Sequence, residues 1–512
     1  MKKNLKKKKK VKSLVSNVIF WVIFLVTITI ILLSKYISKS FNDYSFDQLL
    51  YSLFYSEGTE TTMVTGGIKF ILPKFIFIIV IYIFIKIILR KILKKNICLD
   101  INFFRKKIRI SILPLNKCIK IIIILIFFLL SMYYSSMNLG IIDYFSNSSV
   151  SSFIEENYID AKKVNIKSPS EKNNLIYIYV ESLESSMFSN ANGGNFKESV
   201  IPNLEALALN NVSFSNNELL GGAYVPYGTT WTAAGIIATT SGVPLKLSIG
   251  NVHDANYSTK LSGVYALGDI LERNGYKNYF FIGSEASFGG RADYLSEHGD
   301  YQFLDVDYLK DKGYVESDYN VWWGIEDSKL LDFAKTELTE IAKNAEPFNF
   351  TLLTSDTHAT DGYLEDVCPN PYEEQYLNTY NCTDYLLTDF LDWLKEQDFY
   401  DNTTIIITGD HLSMQGNIFS LFDSENLYER KIYNTYINSK ATSSNTKNRK
   451  FTSFDLYPTT LAALGFKIDG NKLGMGVNLF SDEETIIEKI SFEEVEAELQ
   501  KRSEFYNKNI LK

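Results

Sequence analysis

The chain has 512 residues, of which 46% are hydrophobic, enough for a membrane portion and one large soluble domain. Its net charge of −8 is unevenly divided: residues 1–143 contain 23 Lys/Arg and 6 Asp/Glu, whereas the remainder contains 29 and 54. Two parts of opposite charge indicate different surroundings. The acidic part argues against a nucleic-acid partner, because such partners require a basic surface.

Three apolar runs lie within the basic part and predict three transmembrane helices. They are Val15–Leu33, Phe70–Leu89, and Ile119–Leu130 with its extension Ser131–Met137. The first two approach the roughly 20 residues that a helix needs to cross a bilayer. A cleaved signal peptide is the alternative for the first run, but no small-residue cleavage site follows it and two more runs do.

The placement of Lys and Arg predicts how these helices are oriented. The N-terminus and the loop between the second and third runs are rich in both residues. The loop between the first and second runs instead carries Asp43, Asp47, Glu57 and Glu60. We therefore expect a multi-pass cell-membrane protein with its N-terminus inside and everything after about residue 138 outside the cytoplasm.

The chain divides into a membrane anchor (1–137), a polar linker (138–172), a catalytic domain (173–482) and a charged C-terminal helix (483–512). In the third part, short apolar runs alternate with amphipathic helical patterns. The predicted strands are Leu175–Val180, Tyr279–Ile282, Phe348–Leu353, Thr403–Thr408 and Lys431–Ile437, and the predicted helices are Leu261–Asn274, Lys329–Ala345, Asp384–Glu396 and Asp455–Leu464. This alternation predicts an α/β fold with a mainly parallel sheet sandwiched by helices, in which ligands bind beyond the carboxyl ends of the strands.

Two of the predicted strands run directly into residues that can bind a metal ion. The first is followed by Glu181, and the fourth is followed after one glycine by Asp410 and His411. Carboxylate and imidazole ligands suit Zn²⁺ or Mn²⁺ better than Ca²⁺. An acid after a strand is also a common turn or cap residue, and Glu184 is a competing carboxylate.

The segment Tyr227–Pro244 leads from small and hydroxyl residues into a helical pattern. A hydroxyl at a helix N-terminus lies in a positive field that stabilises an alkoxide or a bound phosphate. Thr229, Thr230 and Thr232 are therefore candidate nucleophiles, the alternative being that they only cap the helix. His358 follows another predicted strand, as His411 does, which favours a site over core histidines.

Two cysteines fall in the predicted outer domain. Cys368 and Cys382 can form a disulfide in an oxidising compartment, with two free thiols as the alternative.

Seven segments of the chain resemble a known family. In order, YVESLES, GTTWTAAG, SGVPL, LGDILERNGYKNYFFIG, TSDTHATDGY, IIITGDH and FDLYPTTLAALG resemble the sulfatase-like branch of the alkaline phosphatase superfamily. Within it, the chain is most similar to the membrane phosphoglycerol transferases, which include lipoteichoic acid synthases and the transferase that decorates periplasmic glucans. The resemblance covers residues 173–482 together with the multi-span anchor.

This resemblance implies roles for particular residues. It implies metal ligands at Glu181, Asp410 and His411, with Thr232 as fourth ligand and nucleophile. It further implies one divalent metal, most often manganese, with zinc and magnesium as alternatives. The residues implied to contact the substrate phosphate or head group are His358, Arg291, Trp322 and Trp323.

The implied reaction transfers phosphoglycerol from phosphatidylglycerol to an extracytoplasmic acceptor through a covalent phospho-threonine, releasing diacylglycerol. The acceptor is a glucan, a glycolipid or a teichoic acid-type polymer. A phosphoethanolamine transferase of the same superfamily and an inactive membrane-anchored scaffold remain alternatives. The Cys- or Ser-x-Pro-x-Arg segment typical of true sulfatases is absent from the sequence, and WTAAG resembles the glucan-decorating enzymes more than the lipoteichoic acid synthases.

Overall fold

The computed structural model describes residues 2–42, 44–54, 61–93, 98–103, 106–111, 117–146, 149–246, 260–344 and 346–512. Its helices are α1 (Lys2–Ser40), α2 (Phe46–Phe54), α3 (Thr61–Leu93), α4 (Lys117–Asn138), α5 (Ile141–Ser146), α6 (Phe153–Asn157), α7 (Pro202–Asn210), α8 (Thr232–Ser241), α9 (Leu267–Arg273), α10 (Arg291–Glu297), α11 (Val306–Asp311), α12 (Asp327–Ile341), α13 (Gln375–Lys395), α14 (Ile418–Leu421), α15 (Leu456–Ala463), α16 (Ile486–Lys489) and α17 (Phe492–Gln500). Its strands are β1 (Cys98–Phe103), β2 (Lys106–Ser111), β3 (Ile166–Lys167), β4 (Asn174–Val180), β5 (Lys277–Ile282), β6 (Gln302–Leu304), β7 (Phe348–Leu353), β8 (Thr403–Gly409), β9 (Asn434–Ile437), β10 (Lys467–Ile468), β11 (Lys472–Leu473) and β12 (Gly476–Val477).

These elements form two compact units. The first comprises Met1–Ser40 and Thr61–Asp143, and the second comprises Phe41–Glu60 and Tyr144–Lys512. The loop helix α2 therefore groups with the second unit, although the sequence alone assigns it to the membrane anchor.

Three helices of the first unit are long and apolar enough to cross a bilayer. Their apolar stretches are Asn17–Ser40 in α1, Thr65–Ile88 in α3 and Ile121–Asn138 in α4. Helix α1 packs against both α3 and α4, and many apolar side chains of the three helices are exposed, as on surfaces that face lipid. The three predicted apolar helices are confirmed.

The second unit is built on a six-stranded sheet in the order β6–β5–β7–β4–β8–β9. All neighbouring strands are parallel except β8 and β9, which are antiparallel. Strand β4 is buried at every position because alternate side chains enter two different cores. Tyr177 and Tyr179 pack on the face covered by α8, α9 and α15, and Ile176 and Ile178 on the face covered by α12 and α13. The predicted α/β fold with a mainly parallel sheet between helices is confirmed.

The largest difference from the predicted elements is that helix α13 begins at Gln375 rather than Asp384. Other differences lie at the ends and edges of this unit. The last predicted strand begins at Asn434 and the first predicted helix at Leu267, both later than expected. The edge strand β6 was missed because it has only three residues, of which one is buried. The predicted end of helix α12, residue 345, lies outside the described residues, and the helix ends at Ile341.

The flanking segments also belong to the core of the second unit. Phe153 and Ile154 of the predicted linker, and Val495 and Leu499 of the C-terminal segment, are buried in the same hydrophobic cluster. The C-terminal segment holds two short α-helices, α16 and α17, and a π-helical turn at Tyr506–Ile510, rather than one continuous helix.

The register of the sheet places several strand ends at one edge. Val180 of β4 pairs with Gly409 of β8, so the next residues of both strands leave the sheet side by side. On the other side of β4, Tyr179 pairs with Leu353 of β7. The segments that follow β4, β7 and β8 therefore meet at the carboxyl edge of the sheet, where parallel α/β folds bind ligands.

Candidate metal and phosphate site

Four side chains with metal-binding atoms converge at this edge. Glu181, Asp410 and His411 are buried, and each offers a ligand atom within 4.8 Å of the others. His411 Nε2 lies 3.3 Å from Glu181 Oε1 and 3.4 Å from Asp410 Oδ2. Thr232 Oγ1 lies 3.2 Å from Glu181 Oε2 and 3.4 Å from His411 Nε2. Two carboxylates, an imidazole and a hydroxyl form a donor set suited to a single divalent ion.

One oxygen of this cluster lacks a hydrogen-bond donor. Asp410 Oδ1 accepts from the backbone N–H groups of Ser182 and His411, at 2.8 and 2.9 Å. The buried Asp410 Oδ2 has no hydrogen-bond partner among the described residues. A buried carboxylate oxygen without a donor is unfavourable. A cation at this position would compensate it, so the residues fit a metal ion.

The charges of the cluster point the same way. Burial raises the pKa of Asp410 to about 7, and the neighbouring charge of Glu181 adds to this. Burial also opposes ionisation of Glu181, but the nearby His411 and His358 hold its pKa below the usual value. Burial likewise opposes the charged form of His411, yet the two carboxylates keep its pKa raised. A cation would relieve the repulsion between the two acids.

Thr232 is the candidate threonine that contacts the cluster. It is the first residue of α8, where the helix dipole favours negative charge. Thr229 instead donates to the Pro226 carbonyl oxygen at 2.6 Å. The buried Thr230 Oγ1 has no hydrogen-bond partner in the part of the chain that the structure describes.

Two neighbouring residues contribute to this geometry although the sequence reading gave them no role. A Cβ at Gly235 of α8 would clash with the carbonyl oxygen of Asp410, so this glycine allows the helix to approach the end of β8. Ser182, in a left-handed conformation with φ of 58°, donates its hydroxyl to Glu181 Oε1 at 2.7 Å. The sequence features that could have indicated these roles are the glycine three positions after Thr232 and the serine next to Glu181.

A row of aromatic and basic side chains includes most of the predicted substrate-binding residues. The ring of Trp323 lies 4.6 Å from that of His358 and 5.2 Å from that of Phe288. The guanidinium carbon of Arg291 lies 5.4 Å from the Phe288 ring. Arg291 donates to the Glu285 carbonyl oxygen at 2.8 Å, while its buried Nε has no hydrogen-bond partner among the described residues. Burial lowers its pKa to about 10, so it remains a cation at neutral pH.

The other predicted substrate residues differ in their surroundings. His358 Nδ1 donates to the Ala359 carbonyl oxygen at 2.6 Å, which leaves Nε2 for another partner. Burial lowers the pKa of His358. Trp322 lies beside Tyr363, with ring centroids 6.3 Å apart, so Trp323 is the tryptophan that contacts His358.

Glu184, the competing carboxylate, is engaged elsewhere. Arg430 donates to its carboxylate from Nε and Nη2, each at 2.8 Å. The backbone N–H of Ser413, at 3.2 Å, and the hydroxyl of Ser186 also donate to this carboxylate. Glu184 therefore belongs to a buried ion pair and not to the cluster around Glu181.

A disulfide joins two cysteines of the second unit. Cys368 and Cys382 have Cα atoms 5.1 Å apart and are 14 residues apart in the chain. Cys382 lies in α13. The bond therefore ties the loop that follows His358 to this helix.

Comparison with known proteins gave several matches. A family model described as sulfatase matches residues 173–466. Proteins named phosphoglycerol transferase I are 32% identical over 255 residues in Xanthomonas campestris pv. campestris (strain B100), and 30% identical over 264 residues in Escherichia fergusonii. These alignments cover 48% and 50% of this chain but 35% and 33% of the relatives. The chain thus spans about a third of the length of the curated relatives it matches.

Solved structures also match. A lipoteichoic acid synthase, LtaP, from Listeria monocytogenes has a TM-score of 0.48 at 20% identity, covering 65% of this chain and 82% of that one. A protein of the alkaline phosphatase superfamily from Vibrio parahaemolyticus has a TM-score of 0.47 at 22% identity, covering 66% and 77%.

Proposed function

We propose that this chain, which belongs to the sulfatase family, transfers a phosphoglycerol group from a membrane lipid to an acceptor hydroxyl. The observation that carries the proposal is the contact of the Thr232 hydroxyl with Glu181 and His411 at the N-terminus of α8. The similarity to phosphoglycerol transferases over half of the chain supports the choice of head group.

We assign Glu181, Asp410, His411 and Thr232 as the ligands of one divalent metal ion, and we propose manganese, with zinc and magnesium as the alternatives. Asp410 Oδ2, buried without a donor among the described residues, supports this assignment. When bound, the ion supplies Lewis acidity, which withdraws negative charge from phosphate oxygens and favours ionisation of a nearby hydroxyl.

The remaining chemistry falls to side chains of the chain itself. The Thr232 oxygen bonds to phosphorus of phosphatidylglycerol, the bond from phosphorus to diacylglycerol breaks, and diacylglycerol leaves with the proton. An acceptor hydroxyl then displaces Thr232 from phosphorus and returns a proton to it. Arg291 and His358 bind the non-bridging oxygens, whose charge develops in the transition state. Trp323 packs against His358 and keeps water from that side of the phosphate.

The acceptor hydroxyl belongs to a glucan, a glycolipid or a teichoic acid-type polymer outside the cytoplasm. The distribution of Lys and Arg supports this location for the second unit. So do contacts of the loop between the first two membrane helices: the N–H of Asn42 donates to the Met414 carbonyl oxygen at 2.8 Å. In a three-span chain, that loop and the domain after the third span lie on the same side.

Cysteine labelling in intact cells tests the location. Asp332 is 71% exposed in the second unit, so an Asp332→Cys variant should react with a membrane-impermeant maleimide in intact cells. Cys98, in the predicted inner loop, should react only after lysis. Labelling of position 332 only after lysis would reverse the orientation.

The activity is tested with purified full-length chain, Mn²⁺, and phosphatidylglycerol or phosphatidylethanolamine labelled in the head group. Diacylglycerol release from phosphatidylglycerol, lost in Thr232→Ala and kept in Thr229→Ala and Thr230→Ala, is the expected result. Release only from phosphatidylethanolamine would overturn the head group, and release from neither would indicate a scaffold. Mass spectrometry of acid-quenched protein should place a glycerophosphate on Thr232, and an adduct on Thr229 or Thr230 would move the nucleophile.

A further inference from the structure

Helix α2 lies on the loop between the first two membrane-crossing helices, yet it packs within the unit that holds the candidate site. Its Asp47, Gln48 and Tyr51 are 1%, 7% and 3% exposed, and Tyr51 lies one helical turn after the other two, on the same side of the helix. We propose that Asp47 and Tyr51 position the segments carrying Thr232 and Arg291, so that this loop is part of the active site. The inference deepens the proposed function and rests on it.

The first contact of α2 is with the segment that precedes the nucleophile. Asp47 Oδ2 accepts a hydrogen bond from the Tyr227 hydroxyl at 2.5 Å. The ring of Tyr51 lies 5.4 Å from that of Trp231, the residue immediately before Thr232. Both ends of the five-residue segment leading to Thr232 are therefore held by one helix.

The second contact is with the segment that carries the proposed phosphate-binding arginine. The Tyr51 hydroxyl donates to the carbonyl oxygen of Gly289, two residues before Arg291. The same side chain thus packs its ring on the segment before Thr232 and bonds its hydroxyl to the segment before Arg291. A single residue in this position fixes the spacing between a nucleophile and a phosphate-binding cation.

The third contact is with the loop that follows the histidine of the cluster. Gln48 Nε2 donates to the sulfur of Met414 at 2.7 Å, and Phe41 pairs with Gln415. Met414 lies three residues after His411. The loop from Phe41 to Tyr51 therefore contacts segments adjoining three proposed functional residues, which a helix that only linked two spans would not do.

These contacts make a specific kinetic prediction for two pairs of variants in the full-length chain. Tyr51→Phe keeps the ring on Trp231 and loses the bond to Gly289, so KM for phosphatidylglycerol should rise about 5-fold with kcat nearly unchanged. Tyr51→Ala also removes the ring, and kcat should fall by about 10- to 100-fold, because a displacement of about 1 Å at reacting atoms costs that much. Asp47→Ala should lower kcat, and Asp47→Asn, which still accepts from Tyr227, should restore most of it.

Ser52→Ala is the matched control, because Ser52 is exposed on the same helix. Mn²⁺ affinity should equal that of wild type in Tyr51→Phe, Asp47→Asn and Ser52→Ala. In Tyr51→Ala and Asp47→Ala it should change less than kcat, since Glu181, Asp410 and His411 lie outside the segments that these two side chains contact. Hydrogen exchange gives a readout that does not depend on activity: peptides spanning residues 226–232 and 285–291 should lose protection in Tyr51→Ala and keep it in Ser52→Ala.

The outcomes separate this inference from the proposed function. An active wild type whose kinetics are unchanged by Tyr51→Ala and Asp47→Ala would overturn the positioning role. An inactive wild type would overturn the proposed transfer, and unchanged exchange in the two peptides would then overturn the positioning role as well. If Tyr51→Phe lowers both Mn²⁺ affinity and thermal stability and leaves KM unchanged, Tyr51 serves only in packing.

Discussion

Glu181 and Glu184 follow the same strand, three residues apart, and both are almost fully buried, at 3% and 0% exposed. Glu184 lies against the guanidinium of Arg430, which donates two hydrogen bonds to it. Glu181 lies near a second carboxylate, that of Asp410. One oxygen of Asp410, Oδ2, has no hydrogen-bond donor among the described residues. The first arrangement is complete within the chain, whereas in the second two carboxylates lie close together and a further cation would relieve their repulsion.

We expect this difference to separate a carboxylate that stabilises the fold, Glu184, from one that binds a ligand, Glu181. A buried ion pair that loses one member is strongly destabilised, because the other charge remains buried. A carboxylate held near another carboxylate gives the opposite expectation, since removing one charge relieves repulsion. A substitution in the carboxylate pair should therefore lower activity without lowering stability, and a substitution in the ion pair should lower stability.

The largest effect should come from Asp410→Asn. Asparagine keeps an oxygen for the N–H groups of Ser182 and His411 but loses the charge that we propose binds the metal. Turnover should fall on the order of 10³-fold, equivalent to about 4 kcal/mol of transition-state stabilisation. In the presence of chelator, thermal unfolding should show the variant to be at least as stable as wild type. A variant with wild-type turnover would remove Asp410 from the site.

Glu184→Gln should affect the stability of the protein. It removes the charge that compensates the buried Arg430, so the free energy of unfolding should fall by about 3 kcal/mol in denaturant titrations. Asp389→Ala is the control, because Asp389 is 66% exposed in its pair with Lys335 and such surface pairs contribute about 0.5 kcal/mol or less. Loss of Mn²⁺ binding in folded Glu184→Gln would place Glu184 in the site after all.

Metal binding itself should distinguish the two variants. At a free Mn²⁺ concentration about 100 times its Kd, a ligand that binds only the folded state adds about 2.7 kcal/mol of stability. Calorimetry should show this increase in stability for wild type and for Glu184→Gln, and almost no increase for Asp410→Asn. An equal gain in all three proteins would mean that the ion binds elsewhere.

The sequence was sufficient for the fold class and for the edge of the sheet that holds the cluster, and it could not supply the distances. Strands such as β4 were predictable because they are short and continuously apolar, and parallel strands end at a common edge. The choice between Glu181 and Glu184 depends on the register of Val180 with Gly409, which no local pattern encodes.

Contacts distant in sequence were equally hidden. The hydrogen bond from Tyr227 to Asp47 joins residues 180 positions apart, and the sequence offered only an acidic residue in a loop. The role of Gly235 became visible only with the carbonyl oxygen of Asp410 beside it. Side-chain roles that follow from a motif were accessible to sequence reasoning, and those that follow from close approach were not.

Asp327 shows a third way to bury a carboxylate. It accepts hydrogen bonds from the N–H groups of Ser355 and Asp356, at 2.8 and 3.1 Å, and it lies near Glu365. Burial raises the pKa of Asp327 from 3.8 to about 7, and the charge of Glu365 adds to this. Below that pH a proton takes the place that a guanidinium or a metal ion takes at the other two carboxylates.

Because the folded state holds this proton more tightly than the unfolded state, its contribution to stability is complete below about pH 4. It is then lost as the pH rises to about 7. Asp327→Asn removes this titration, so the decline in unfolding free energy over that window should be shallower by up to about 1.4 kcal/mol per pH unit. Urea titrations of chelator-treated protein at pH 5, 6 and 7 measure this, with the 71% exposed Asp332→Asn of the same helix as the control. Parallel pH profiles for wild type and Asp327→Asn would mean that Asp327 does not hold the proton and that its neighbour Asp356, whose pKa burial also raises, holds it instead. A proton would then not be the charge that compensates Asp327.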